Sequence, residues 1–229
     1  MFNIQTIRKG NRLSPPLSYQ SLQTNGAVAN GYALAPSIAA YGTFGDFTFE
    51  YWINRGAWNN TNSRIIDYDY FSGFAINRSG STDKLSIGIS SGAVMVSVSD
   101  LAEGVWTHIA HVRSGSTALI YFNGVLDNSG GISNATFSYN ILTNFGIGVN
   151  VSNSPGIETQ TFKMTDLRFW KEARSQTQIA DNMNTHLTGS ETNLIGNWQF
   201  IDGSLIDSTA NASTLSLQAS ASIVTDNPY

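Results

Sequence analysis

The chain has no cysteine among its 229 residues, which excludes a disulfide framework, a thiolate metal site and a cysteine nucleophile. Charge is scarce too. Asp, Glu, Lys and Arg make up 12% of the residues, about half the usual share, so the surface must stay hydrated mainly through Ser, Thr, Asn and Gly. The net charge of −4 and the lack of any dense basic run argue against nucleic acid as a partner, because nothing is placed to displace phosphate counterions. Arg8-Lys9-Gly10-Asn11-Arg12 is the most basic stretch, and it reads as a solvated tail. No apolar run approaches the roughly 18 residues of a membrane span, so no membrane insertion is expected. Met1 to Lys9 also lacks the basic start and apolar core of a secretory leader.

What is present is a 41% apolar fraction arranged as many short alternating segments. Phe47, Phe49, Tyr51 and Ile53 alternate with Thr48, Glu50, Trp52 and Asn54, a period of two that puts one set on a buried sheet face. Further segments of this kind run over 63–69, 73–77, 84–90, 93–99, 106–113 and 117–122, each bounded by Gly, Ser, Asn or Asp. Asn25-Gly26 and Asn123-Gly124 are tight-turn signals. Spacing of about ten residues between strand centres suits a two-sheet jelly roll. One helix is expected, from Ser175 to about His186: Ser175 and Gln178 form a capping-box pattern, and Ile179, Met183 and Leu187 fall on one stripe. His186 reads as a cap at its end. Pro15-Pro16 breaks any ladder, so residues 1–17 are expected to form an arm or linker and residues 18–229 a single all-β sandwich.

The order of phrases from Val105 to Asn211 resembles a known family. Trp106-Thr107-His108-Ile109-Ala110-His111 opens one strand, and Ala118 to Leu126 spans a second that closes on Asn123-Gly124. Asp166-Leu167-Arg168-Phe169-Trp170 leads into the helix. Leu194 to Phe200, Asp202-Gly203 and Asp207 to Asn211 complete the series. This series is similar to the laminin-G-like, pentraxin-like branch of the concanavalin A-like lectin and glucanase superfamily, over roughly residues 18–224. The resemblance implies a concanavalin A-like jelly roll of two antiparallel sheets in which Ser18 to Gln23 pairs with Leu194 to Phe200. It also implies core or inter-sheet packing for Trp52, Trp106, Trp170 and Trp198.

Glucanases of that superfamily carry two glutamates separated by an aspartate on one strand, each two residues from the next. None of the five glutamates, Glu50, Glu103, Glu158, Glu172 and Glu191, has another acid two positions along, so the chain is read as not an enzyme. Asp67 and Asp69 are the one carboxylate pair at that spacing. With Tyr70 beside them they are candidates to hold a sugar diol or one Ca²⁺, or are simply solvated. Pentraxins bind calcium in an acidic loop after a strand that matches Phe145 to Gly148. Here that loop offers Asn150 and no carboxylate, so no cofactor is required, and a single Ca²⁺ would need help from Asp46, Asp67, Asp69 or Asp207. His108 and His111, three apart on a strand, should face opposite ways. Trp58, with Asn59 and Asn60, sits in a polar loop where an exposed indole would suit either a sugar ring or a subunit contact.

The expectation is therefore a noncatalytic surface-binding module for a glycan or cell-surface polysaccharide, displayed on a phage virion or a bacterial exterior. The alternatives are a purely structural assembly subunit, with residues 1–17 engaging neighbouring copies in a homo-oligomer or other virion proteins, and a divergent glycoside hydrolase.

Overall fold

The computed structural model describes residues 18–26, 31–36, 45–59, 61, 63–68, 73–89, 94–132, 145–151 and 158–229. The expected arm at 1–17 lies outside them. Two antiparallel sheets pack face to face. The larger has the order β10 (Val125–Gly131), β9 (Thr117–Phe122), β8 (Thr107–Ser114), β3 (Phe47–Arg55), β12 (Phe162–Trp170), β1 (Ser21–Gln23), β15 (Ser222–Val224), with β13 (Leu194–Trp198) also paired to β12. The smaller runs β14 (Ser216–Gln218), β2 (Tyr32–Ala35), β11 (Phe145–Ile147), β4 (Arg64–Tyr68), β5 (Phe74–Arg78), β6 (Leu85–Ile89), β7 (Val94–Val96).

The alternation in β3 decides what the sheets enclose. Phe47, Phe49, Tyr51 and Ile53 are all fully buried between the sheets. The Phe49 ring stacks 4.0 Å from Phe169 on β12 and lies 4.7 and 5.7 Å from Phe74 and Phe145 on the opposite sheet, so a single side chain joins both layers. Each such ring contributes about 1.5–3 kcal/mol relative to exposure. The odd and even positions of β8 divide in the same way, as expected for the two histidines. His111 stands opposite Phe49, facing the core, and His108 stands opposite Trp52, facing outward.

Asn123-Gly124 makes the β9–β10 turn with positive φ at both residues, 49° and 76°, as a type I′ hairpin requires. Glycine is also needed at 124 because a Cβ there would approach that of Ala180 to 3.0 Å. Asn25-Gly26 does not make a two-residue turn: Asn25 pairs with Gly31 instead.

Four further expectations are corrected. β1 pairs with β12 and β15, not with β13. A bulge in β12 between Thr165 and Arg168, with Asp166 at φ 47°, splits that long strand. β1 takes the half around Met164 and β13 the half around Leu167, so the two never meet. The helix α1 covers only Gln176–Asn182, with the expected capping box at Ser175 and Gln178. Ile179 is its buried anchor on Ala110, Val112 and Tyr121, while Leu187 packs separately with Trp170 and Leu194. His186 lies beyond the helix and caps nothing; its ring stacks on Tyr19 at 4.3 Å. Of the four tryptophans expected in the core, Trp198 is there. Trp52 and Trp170 sit on the outward side of the larger sheet, and Trp106 is half-buried at its margin.

Candidate functional site

Pairing register defines the outward face of the smaller sheet. Gly146 stands opposite Asp67, Asp67 opposite Ala75, Ala75 opposite Gly88 and Gly88 opposite Val94. Residues directly opposed across strands share a face. Since Tyr68, Phe74, Ile76, Ile87 and Ile89 fill the core, this row points away from it. Four adjacent strands thus present no side chain, a carboxylate, a methyl group and no side chain. Val151 donates its backbone N–H to Asp67 Oδ2 at 2.7 Å, and Asp67 is fully buried. The absence of a side chain at 146 is required here. A Cβ would fall 2.5 Å from the Val151 side chain and 2.9 Å from that of Val149, so these valines seat 149–151 over one end of the row.

The next row along the same face is polar. Arg64 Nη1 donates to Asn77 Oδ1 at 3.2 Å, and Ser86 Oγ donates to the Asn77 carbonyl at 3.2 Å. Arg64 Nε lies 2.9 Å from Glu158 Oε2, and Asn150 Nδ2 donates to the same oxygen at 2.7 Å. One carboxylate therefore binds a guanidinium from β4 and an amide from the segment after β11. A bulge between Arg64 and Ile66 lets the arginine join this face. Asn59 reaches the same region, since its N–H donates to Gln160 Oε1 at 3.1 Å while Gln160 Nε2 donates to the Ala57 carbonyl at 3.0 Å. The side-chain Nδ2 of Asn59 is buried without a hydrogen-bond partner among the described residues.

Trp58 is not the exposed indole that its loop suggested. It is half-buried and packs against the core, with Nε1 donating to Asp83 Oδ1 at 2.8 Å and the guanidinium carbons of Arg55 and Arg78 lying 4.9 and 5.3 Å from the ring centroid. Two cations from β3 and β5 form its slot, and local sequence does not reveal them.

Asp67 and Asn150 thus lie close together at the smaller sheet and Asn59 adjoins them through Gln160, whereas Trp58 packs toward the core between Arg55 and Arg78. Asn60, Asp69 and Tyr70 lie outside the described residues. Arg64, Asn77, Glu158 and Gln160 were missed; in sequence they are isolated polar residues, and only strand register and the 158–161 segment bring them together. Of the acids considered for a metal, Asp69 lies outside the described residues, and Asp46 and Asp207 are each engaged elsewhere in the fold. Asp46 accepts the Gly115 N–H at 2.7 Å. Asp207 accepts the N–H groups of Asn197 and Thr209, each at 2.8 Å, and the Thr209 hydroxyl at 2.7 Å. Among the described residues no group of three or more His, Asp or Glu gathers as a metal site would require.

The outward face of the larger sheet is different. Glu50 Oε1 accepts the Trp170 indole N–H at 2.8 Å and lies 3.7 Å from Arg168 Nη1. His108 Nε2 is 3.8 Å from Glu50 Oε2, and Arg168 lies 3.7 Å from Asp166 on its other side. Arg174 lies over the Trp170 ring, its guanidinium carbon 3.7 Å from the centroid. The segment after α1 covers them: Trp52 donates to the Met183 carbonyl at 2.8 Å, and Arg168 donates to the carbonyls of Asn182 and Thr185 at 2.9 and 2.5 Å. Burial pushes the Glu50 carboxyl above its usual range despite Arg168 and Arg174. It also pushes His108 down to about 3, helped by Arg168, so the imidazole is neutral.

A family model of laminin G type, described as the concanavalin A-like lectin/glucanases superfamily, matches residues 25–180. Among solved structures the chain is similar to a protein from Bacteroides ovatus provisionally described as carbohydrate-binding, with a TM-score of 0.74 and 20% identity. That match covers 93% of this chain and 62% of the other, so the chain spans less than two thirds of its relative. It is also similar to the native heptameric SAP-like pentraxin of Limulus polyphemus, with a TM-score of 0.61, 13% identity, and 90% and 95% of the two chains covered. A third is the botulinum neurotoxin type C structure connected with entry through two ganglioside molecules, with a TM-score of 0.50, 14% identity, and 74% and 47% covered. No curated protein matches the sequence. The family match spans more than half of the residues and falls on a two-sheet antiparallel sandwich, so the chain belongs to the concanavalin A-like lectin/glucanase superfamily.

Proposed function

We propose that the chain is a noncatalytic binding module whose ligand is a glycan, held on the outward face of the smaller sheet. The observation that carries this reading is the floor of minimal side chains, Gly146, Ala75 and Gly88 around Asp67, edged by Arg64, Asn77, Asn150 and Glu158. The row itself is buried, so a sugar would meet its edge, where Asn77 and Glu158 keep partial exposure and guanidinium, amide and carboxylate groups serve hydroxyls in both hydrogen-bonding directions. The carbohydrate-binding description of the Bacteroides relative and the ganglioside dependence of the neurotoxin relative support the same ligand class.

A noncatalytic role is supported by how the acids are used. Glu158 is neutralised by Arg64, Asp67 receives the Val151 N–H, and Glu50 lies on the opposite outward face beneath the segment after α1. Display on a phage virion or bacterial exterior belongs to the proposal too, resting on the cysteine-free, charge-poor composition.

A glycan array followed by calorimetry on the best hit tests the reading, with EDTA and Ca²⁺ arms to measure any metal requirement. Arg64→Ala and Asp67→Ala are expected to weaken binding about tenfold or more, the scale of one lost charge-assisted hydrogen bond. Undiminished affinity in both folded variants would overturn the placement of the site, and an array without hits would overturn the glycan.

A further inference from the structure

The cover over the larger sheet stops short of one end. Trp52 is held by the Met183 carbonyl, but two residues further along β3 the next outward side chain, Asn54, is only half-buried, as are Lys163 and Gln23 beside it. Register places these three in one row, Gln23 opposite Lys163 and Lys163 opposite Asn54. They line a cleft of about 350 Å³ with Arg55, Glu103 and Gly104. Gln23, Asn54 and Lys163 belong to the larger sheet, and Asp67 to the smaller.

We infer that this cleft is a second ligand site, taking a neutral, hydroxyl-rich molecule such as a short oligosaccharide. Its charged side chains are already engaged in ion pairs. Lys163 is paired with Asp226, and Arg55 with Glu103 and Asp83, each at 3.2 Å. Asp226 also accepts the Trp106 indole N–H at 3.2 Å, and the Lys163 and Trp106 hydrogen bonds hold its carboxyl below the usual range. A charged ligand would have to compete with these ion pairs, whereas hydroxyls gain from donors and acceptors placed side by side. The two amides are poorly used within the fold. Asn54 Nδ2 makes one long bond, 3.3 Å, to the Gly104 carbonyl, and the Gln23 amide has no hydrogen bond to the described residues. Two strand spacings separate Gln23 from Asn54, about 10 Å, which suits a short chain of rings. This inference does not depend on the site around Asp67. If both hold, one sandwich carries two sites, one on each sheet, and can bridge two glycan chains.

The test is ¹H–¹⁵N NMR titration of the full chain with maltotriose, cellotriose, xylotriose and mannotriose in the millimolar range. At least one sugar is expected to move the side-chain amide signals of Gln23 and Asn54 and the Gly104 N–H saturably. A Gln23→Ala/Asn54→Ala double variant should bind at least about tenfold more weakly, and Arg64→Ala should leave these shifts unchanged. Should the double variant unfold, Lys163→Gln is read by the same criterion. The inference is overturned if none of the four sugars moves those signals, or if the shifts survive in the variants. Shifts confined to the surroundings of Asp67 and Asn150 would overturn this site while supporting the other.

Discussion

The outward face of the larger sheet packs Glu50, His108, Arg168 and Trp170 beneath the segment that follows α1, whereas the matching face of the smaller sheet presents Gly146, Asp67, Ala75 and Gly88. Both carry buried carboxylates, and they are satisfied by different means. Glu50 depends on a guanidinium, an indole and a helix-bearing segment far along the chain, so its neighbours are large and the face is closed. Asp67 needs a backbone N–H from Val151, and the residues around it are the smallest available. One carboxylate is buried under bulky, mutually satisfied partners, and the other among minimal side chains with a backbone donor, so the two faces should tolerate added bulk differently.

Breaking the closed face should have the largest effect. Arg168→Met leaves Glu50 and Asp166 without their shared cation, and a loss of about 3–5 kcal/mol is expected in denaturant unfolding. The next contrast is in acid. His108 and His111 are held at about 3 by burial against an ordinary 6.5, so between those values the unfolded chain binds protons that the folded chain does not. Stability should fall as pH drops through that window, by up to about 1.4 kcal/mol per pH unit for each histidine. Glu50 works in the opposite sense: its raised pKa gives a contribution present at low pH and lost as pH rises through the folded value. His108→Gln or His111→Gln should therefore flatten the acid limb of stability measured against pH.

The face of minimal side chains should respond to bulk. Gly146→Ala pushes a methyl group into Val151 and Val149 and should cost about 1–3 kcal/mol, with glycan affinity falling in parallel because 149–151 carries Asn150. Smallest is Ser175→Ala, which removes the capping box of α1 for about 1 kcal/mol, a drop of about 2–4 °C in Tm. It sharpens the comparison by loosening only the cover of the closed face, and glycan binding at the smaller sheet should not change.

Much of the layer arrangement was legible because alternation is a local property. Phe47 to Ile53 announces its buried side without reference to any partner strand, and Ser175 with Gln178 announces a helix start. The pairing of β1 was misread because β12 is long and bulged, and nothing in its sequence says which half a neighbour will take. Trp58 was misread because Arg55, Arg78 and Asp83 cover it from three positions spread over the chain. Glu50 looked like an ordinary polar position on a half-exposed strand, since its partners Arg168 and Trp170 come from 118 and 120 residues later.

By itself the amino-acid sequence determined a cysteine-free sandwich, the faces of its long strands, the I′ turn at Asn123-Gly124, and the lack of closely spaced glutamates. These follow from side-chain period and composition, which a few neighbouring residues set. Tertiary structure alone decided that Arg64, Asn77, Asn150 and Glu158 meet, that Gln23, Lys163 and Asn54 stand in a row, and that the segment after α1 covers the larger sheet. Register across strands distant in sequence is a collective outcome of packing the whole interior, and no short segment encodes it.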